Sequence, residues 1–85
     1  MNYHVIWAPT AEGQLAAIWL AASDRNAVTW ANARIDAILR AGPLRAGEGR
    51  TSGVNRVLIE EPLAVQYEVI EDDKRVVVQA VWAAG

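Results

Sequence analysis

Residues 55–69, NRVLIEEPLAVQYEV, contain two apolar runs of strand length separated by Glu61-Pro62. Proline cannot donate to a strand ladder, so this pair marks a turn and the runs become a hairpin over 54–60 and 63–70. A third run, RVVVQAVW, follows Asp72-Asp73 and predicts a strand over 75–82. Three consecutive strands joined by short turns make an antiparallel meander. Such a meander must bury one face against something else in the chain.

The first half supplies the cover. YHVIWA (3–8) alternates as a strand and ends at Pro9. Thr10 is the expected cap of a helix from Ala11 to Ala22, with Gly13 at its third position and Leu15, Ile18, Trp19 and Ala22 on one stripe. Ser23-Asp24 offers a second cap. The segment Arg25 to Ala41 then repeats the stripe with Val28, Ala31, Ile35, Ile38 and Leu39, and Gly42-Pro43 stops it. Residues 44–53, LRAGEGRTSG, carry three glycines and no apolar periodicity, so they read as an exposed loop. The predicted architecture is α+β: an N-terminal strand, a two-helix hairpin, then the meander. The helices cover one face of a four-stranded, mainly antiparallel sheet, which leaves the other face open.

Eighty-five residues correspond to a single domain, 1–85, with a thin stability margin that a partner or a homodimer would widen. Trp7, Trp19, Trp30 and Trp82 are many for this length. Each carries an N–H that wants a partner, so some are candidates for an interface, while plain core packing is expected for at least two. Cysteine is absent and His4 is the one histidine, so no disulfide, thiol nucleophile, multi-histidine metal site or cofactor is expected. No targeting segment or membrane-length apolar stretch is evident, which points to a soluble cytoplasmic protein. The net charge of −2 is uneven. Residues 34–56 carry Arg34, Arg40, Arg45, Arg50 and Arg56 and a net +3, whereas 57–85 carry a net −4. Arg50 and Arg56 are the candidate anion-binding residues of this patch.

Period-two alternation places Val57 and Ile59 on the core side and Arg56, Leu58 and Glu60 on the open side. Leu63, Val65, Tyr67 and Val69 face the core, as do Val76, Val78, Ala80 and Trp82, with the Tyr67 hydroxyl at the edge. The open face is then expected to hold Arg56, Glu60, Gln66, Glu68 and Gln79, joined by His4. Arg56 could clamp a phosphate with its planar fork of donors, and Glu60, Glu68 or His4 could carry a proton. The commoner outcome for such residues is a cross-strand ion pair worth a few tenths of a kcal/mol. Glu71-Asp72-Asp73 reads as a solvated turn rather than a divalent-cation site.

Over almost its whole length the chain resembles the small toxins of the RelE/ParE superfamily. The resemblance is carried by Tyr3-His4-Val5-Ile6-Trp7 before Ala8-Pro9-Thr10-Ala11, by the helical hairpin ending at Gly42-Pro43, and by Gly53-Val54-Asn55-Arg56. Pro62-Leu63-Ala64-Val65-Gln66-Tyr67-Glu68-Val69, the acidic turn and Arg75-Val76-Val77-Val78 complete it. It implies the toxin of a type II toxin–antitoxin system, neutralised by a cognate antitoxin and acting on an essential target in translation or on DNA gyrase. RelE-like members are ribosome-dependent mRNA endoribonucleases; ParE-like members poison gyrase. A degenerate, non-toxic binding module is a further implied outcome. The resemblance also implies an arginine where this chain has Ala64, and basic and aromatic residues after the last strand, where it has Ala83-Ala84-Gly85. Lysines near the second strand have no counterpart here, and Arg56 is the family-type basic position that remains.

Overall fold

A computed structural model describes residues 2–46, 48–49 and 55–84. The elements run β1 (His4–Trp7), α1 (Pro9–Ala21), α2 (Arg25–Ala41), α3 (Pro43–Ala46), β2 (Glu48–Gly49), β3 (Asn55–Glu60), β4 (Leu63–Ile70) and β5 (Arg75–Ala83). The sheet order is β1-β5-β4-β3-β2. β3, β4 and β5 form the expected antiparallel meander, and β1 pairs parallel with β5, Val5 opposite Val76. The two-residue β2 adds a fifth strand, with Glu48 opposite Val57 and Gly49 opposite Arg56. Part of the expected 44–53 loop is therefore ordered as α3 and β2, while 47 and 50–54 lie outside the described residues. Arg50 is among the latter.

α1 begins at Pro9, with Ala8 as its cap residue and no side-chain cap, so Thr10 does not play that part. Proline at the first helical position supplies a preset φ, and its missing N–H would have been unpaired there anyway. Asp24 caps α2 as expected, accepting from the Ala27 N–H at 3.1 Å. Gly42 ends α2 in an extended conformation (φ −163°). A Cβ there would lie 3.0 Å from the Arg45 guanidinium, the far end of a flexible side chain that can shift aside. The β3–β4 turn is Glu61-Pro62, joined by a cis peptide bond, and the β4–β5 connection is a short 3-10 turn at Glu71–Asp73.

The core lies between α2 and the sheet. Val28, Ala31, Ile35 and Leu39 pack on Leu58, Leu63, Val65, Tyr67, Val76, Val78 and Val81. Each large side chain fully buried there contributes about 1.5–3 kcal/mol. α1 contributes only Ala11 as a fully buried residue, with Leu15 and Ile18 packed at the margin. Of the tryptophans only Trp7 packs against this core; Trp19, Trp30 and Trp82 are 40%, 66% and 40% exposed. The expectation of at least two core tryptophans is thus corrected.

Two face assignments also change. In β3, Arg56 lies opposite Tyr67, Leu58 opposite Val65 and Glu60 opposite Leu63. Those partners face the helices, so Arg56, Leu58 and Glu60 do too; Leu58 is buried and Ile59 is 62% exposed. Val57 and Ile59 are β-branched and suit any pleated surface, so their β-propensity does not identify the core side. In β5 the register passes from Gln66↔Ala80 to Tyr67↔Val78, leaving Gln79 as an extra residue. This bulge shifts the alternation by one. Val81 enters the core, and Ala80 and Trp82 turn to the open face, the reverse of the expected order.

Candidate functional site

Cross-strand register builds the open face row by row. His4, Arg75 and Ile70 share one row, followed by Ile6, Val77, Glu68 and Asn55. Gln66 and Val57 come next, and then Trp82, Ala64 and Ile59. The centre is an amide ladder. Gln66 Nε2 donates to Gln79 Oε1 at 3.3 Å, and Gln79 Nε2 donates to Glu68 Oε1 at 3.3 Å. The Glu68 carboxylate is held by that ladder, partly buried. Beside it runs an apolar row. Ala64 is wholly buried yet outside the core cluster, because its own row, with Trp82 on one side and Ile59 on the other, is on the far face of the sheet.

His4 and Glu68 do lie on the open face, as expected. Arg56 and Glu60 do not. Glu60 Oε1 accepts from Arg34 Nε of α2 at 2.8 Å, and Arg34 also donates to the Glu61 carbonyl at 3.2 Å. The sequence reading groups Glu60 with Arg56 on the open face; the structure pairs it with a helix residue that period-two reasoning about strands does not reach. His4 and Glu68 are separated by β5, about 10 Å between their strands. A general base must come within roughly 3 Å of its proton. The proposed phosphate clamp and proton carriers are therefore split between two faces, with no single point on which they converge.

A second polar group lies at the start of the sheet. The Tyr3 hydroxyl donates to both Glu71 carboxylate oxygens at 2.9 Å, and Lys74 donates to the same carboxylate while lying over the Tyr3 ring at 5.2 Å. The Lys74 hydrogen bond, then that of Tyr3, holds the Glu71 pKa below its ordinary value. The hydrogen bond to Glu71 raises Lys74 and Tyr3 above theirs. The acidic turn is thus more structured at Glu71 than a solvated turn. Among the described residues no group of three or more His, Asp or Glu converges as a metal site.

Sequence reasoning also missed the groove between α1 and α2, about 590 Å³, lined by Trp7, Glu12, Leu15, Trp19, Leu20 and Asn32 among others. The available signal was α1 itself, whose outward positions Ala16, Ala17 and Leu20 are as apolar as its inner stripe.

No protein-family model and no curated protein sequence matches the chain. Solved structures do. A chain of the toxin–antitoxin complex RelBE2 from Mycobacterium tuberculosis aligns with a TM-score of 0.79 at 19% identity, over 98% of this chain and 99% of that one. A chain of the chromosomal ParDE TA system from P. aeruginosa aligns with a TM-score of 0.72 at 15% identity, over 98% and 97%. The chain has the RelE/ParE toxin fold. Ala64, where the resemblance implies an arginine, is buried in the apolar row of the open face.

Proposed function

We propose that residues 1–85 form one toxin domain of a type II toxin–antitoxin system, cytoplasmic and neutralised by a cognate antitoxin, which acts by binding its target rather than by cleaving RNA. The fold shared with chains of two toxin–antitoxin assemblies supports the toxin reading. Among the described residues no helix is long and apolar enough to cross a membrane. One observation carries the choice of binding over cleavage: Arg56 and Glu60 are on the helix side of β3, while Glu68 and His4 are on the open side. An open face bearing Trp82, Ile59 and a glutamine ladder suits a protein surface better than a phosphate backbone, which demands clustered cations. Among the described residues, the RelE-type ribonuclease alternative retains only His4 and Glu68 of its candidates on that face, beside Arg75.

The experiment is inducible expression of the chain alone in a bacterial host. Growth arrest is expected, and Arg56→Ala is expected to leave it within about twofold once soluble protein levels are matched. Arrest abolished by Arg56→Ala in a folded protein would overturn the binding mode. No arrest at high soluble levels would favour a non-toxic module of the same fold.

A further inference from the structure

The amide ladder of the open face ends on a carboxylate. Both side-chain amides donate in the same direction, Gln66 to Gln79 and Gln79 to Glu68 Oε1, each at 3.3 Å. The β5 bulge makes this possible, because the extra residue Gln79 sets an amide between Gln66 and Glu68. A carboxylate oriented in this way has a reduced ordering cost on binding. Glu68 is half-buried, yet no cation pairs with it among the described residues. A carboxylate drawn partly out of water calls for a positive partner. Arg75, one row away, lies 3.8 Å from Asp73 instead, and His4 is a strand further off.

A second acceptor stands directly across from Glu68. Asn55 is its register partner on β3, and Asn55 Oδ1 is buried and accepts no hydrogen bond. Asn55 as a whole is half-buried, so rotation of its amide can bring that oxygen to the face beside Glu68. Residues opposite each other in an antiparallel pair have Cβ atoms about 4.5–5.5 Å apart, within reach of one planar group. On the other side of Glu68 the row is apolar, with Val77 and then Ile6. We infer that Glu68 and Asn55 form a binding site for a guanidinium group, which sets two N–H donors on the carboxylate and a further one on Asn55 Oδ1. Each carboxylate oxygen can accept twice, so the bond from Gln79 persists. A phosphate or carboxylate ligand would place like charge on Glu68, and a neutral amide would leave that charge uncompensated. An ammonium is a compact, strongly hydrated ion, whereas a guanidinium is flat and weakly hydrated and rests its face on apolar ground such as Val77. The group can belong to a small guanidinium compound or to an arginine side chain of a partner protein. The inference concerns the sheet face and stands whether or not the chain is a toxin.

The test is a nuclear magnetic resonance titration of the isotope-labelled full chain with three probes: methylguanidinium, a blocked alanine peptide carrying one arginine, and the same peptide with lysine in its place. The arginine peptide is expected to shift the side-chain amide signals of Asn55 and Gln79 and to bind at least about fivefold more tightly than the lysine peptide. Glu68→Gln, which keeps an acceptor for Gln79, is expected to weaken that binding about tenfold. Asn55→Leu, a variant independent of the carboxylate, is expected to weaken it about threefold. Methylguanidinium binding as tightly as the arginine peptide would support the site and assign it to a small compound. Tighter binding of the peptide would support it and assign it to a partner's arginine. Equal affinity for the arginine and lysine peptides, no response to any probe, or undiminished binding in Glu68→Gln would overturn the inference. Binding seen only in Arg75→Gln would overturn it too, because Arg75 would then already occupy Glu68 in the wild type.

Discussion

Glu60 and Arg34 meet at 2.8 Å across the seam between α2 and β3, with side chains 29% and 46% exposed. At that exposure the pair contributes about 0.5 kcal/mol, so its main consequence is to occupy a carboxylate otherwise open to proton transfer. Tyr67 matters more to stability. Its ring is wholly buried and its hydroxyl donates to the Pro43 carbonyl at 2.6 Å, pinning α3 to the sheet rather than lying at an edge. Tyr67→Phe should cost about 1–2 kcal/mol in urea denaturation, because it strands a buried carbonyl. The Tyr3–Glu71–Lys74 group gives a pH signature. The depressed Glu71 pKa makes its contribution present above the ordinary 4.5 and lost as pH falls through the folded value. The raised Lys74 pKa makes its share present below 10.5 and lost as pH rises through its folded value. In thermal melts, wild type and Glu71→Gln should therefore differ by a constant amount at neutral pH and converge on acidification. A gap that persists in acid would mean that the carboxylate's charge is not the cause.

At the level of elements, the Gln79 bulge decides which β5 residues are covered. Gln79 is the extra residue, so deleting it restores simple alternation and keeps Val78 and Val81 on the core side. That deletion should leave the chain folded, at a cost of about 1–2 kcal/mol for the lost amide ladder. Deleting Gln66 from regular β4 should abolish cooperative melting, because every residue on one side of the cut changes face. The strands of 55–69, the two helices and the Asp24 cap were legible in the sequence because alternation, stripe and cap chemistry are local. The sides of β3 were not. Arg56, Val57, Leu58, Ile59 and Glu60 alternate equally well in either orientation, and only pairing with Val65 and Tyr67 chooses between them. The bulge was hidden for the same reason: RVVVQAVW is apolar enough to alternate either way, and the choice is made by β4. For the candidate site, this left His4 and Glu68 correctly placed and Arg56 and Glu60 on the wrong face.

As a whole molecule, the chain joins a buried helix–sheet core to two surfaces that the core does not use: the apolar, amide-bearing sheet face and the α1–α2 groove. The split of the polar candidates between two faces of this fold is what supports the proposed binding mode. Under the proposed function, the chain binds its target and does not cut RNA. The most direct measurement is a translation extract programmed with a defined mRNA, supplied with the purified chain in excess over ribosomes and read by primer extension. No codon-specific cleavage is expected, with wild type and His4→Ala giving the same full-length message. Cleavage at codon boundaries that His4→Ala or Arg56→Ala removes would contradict the account.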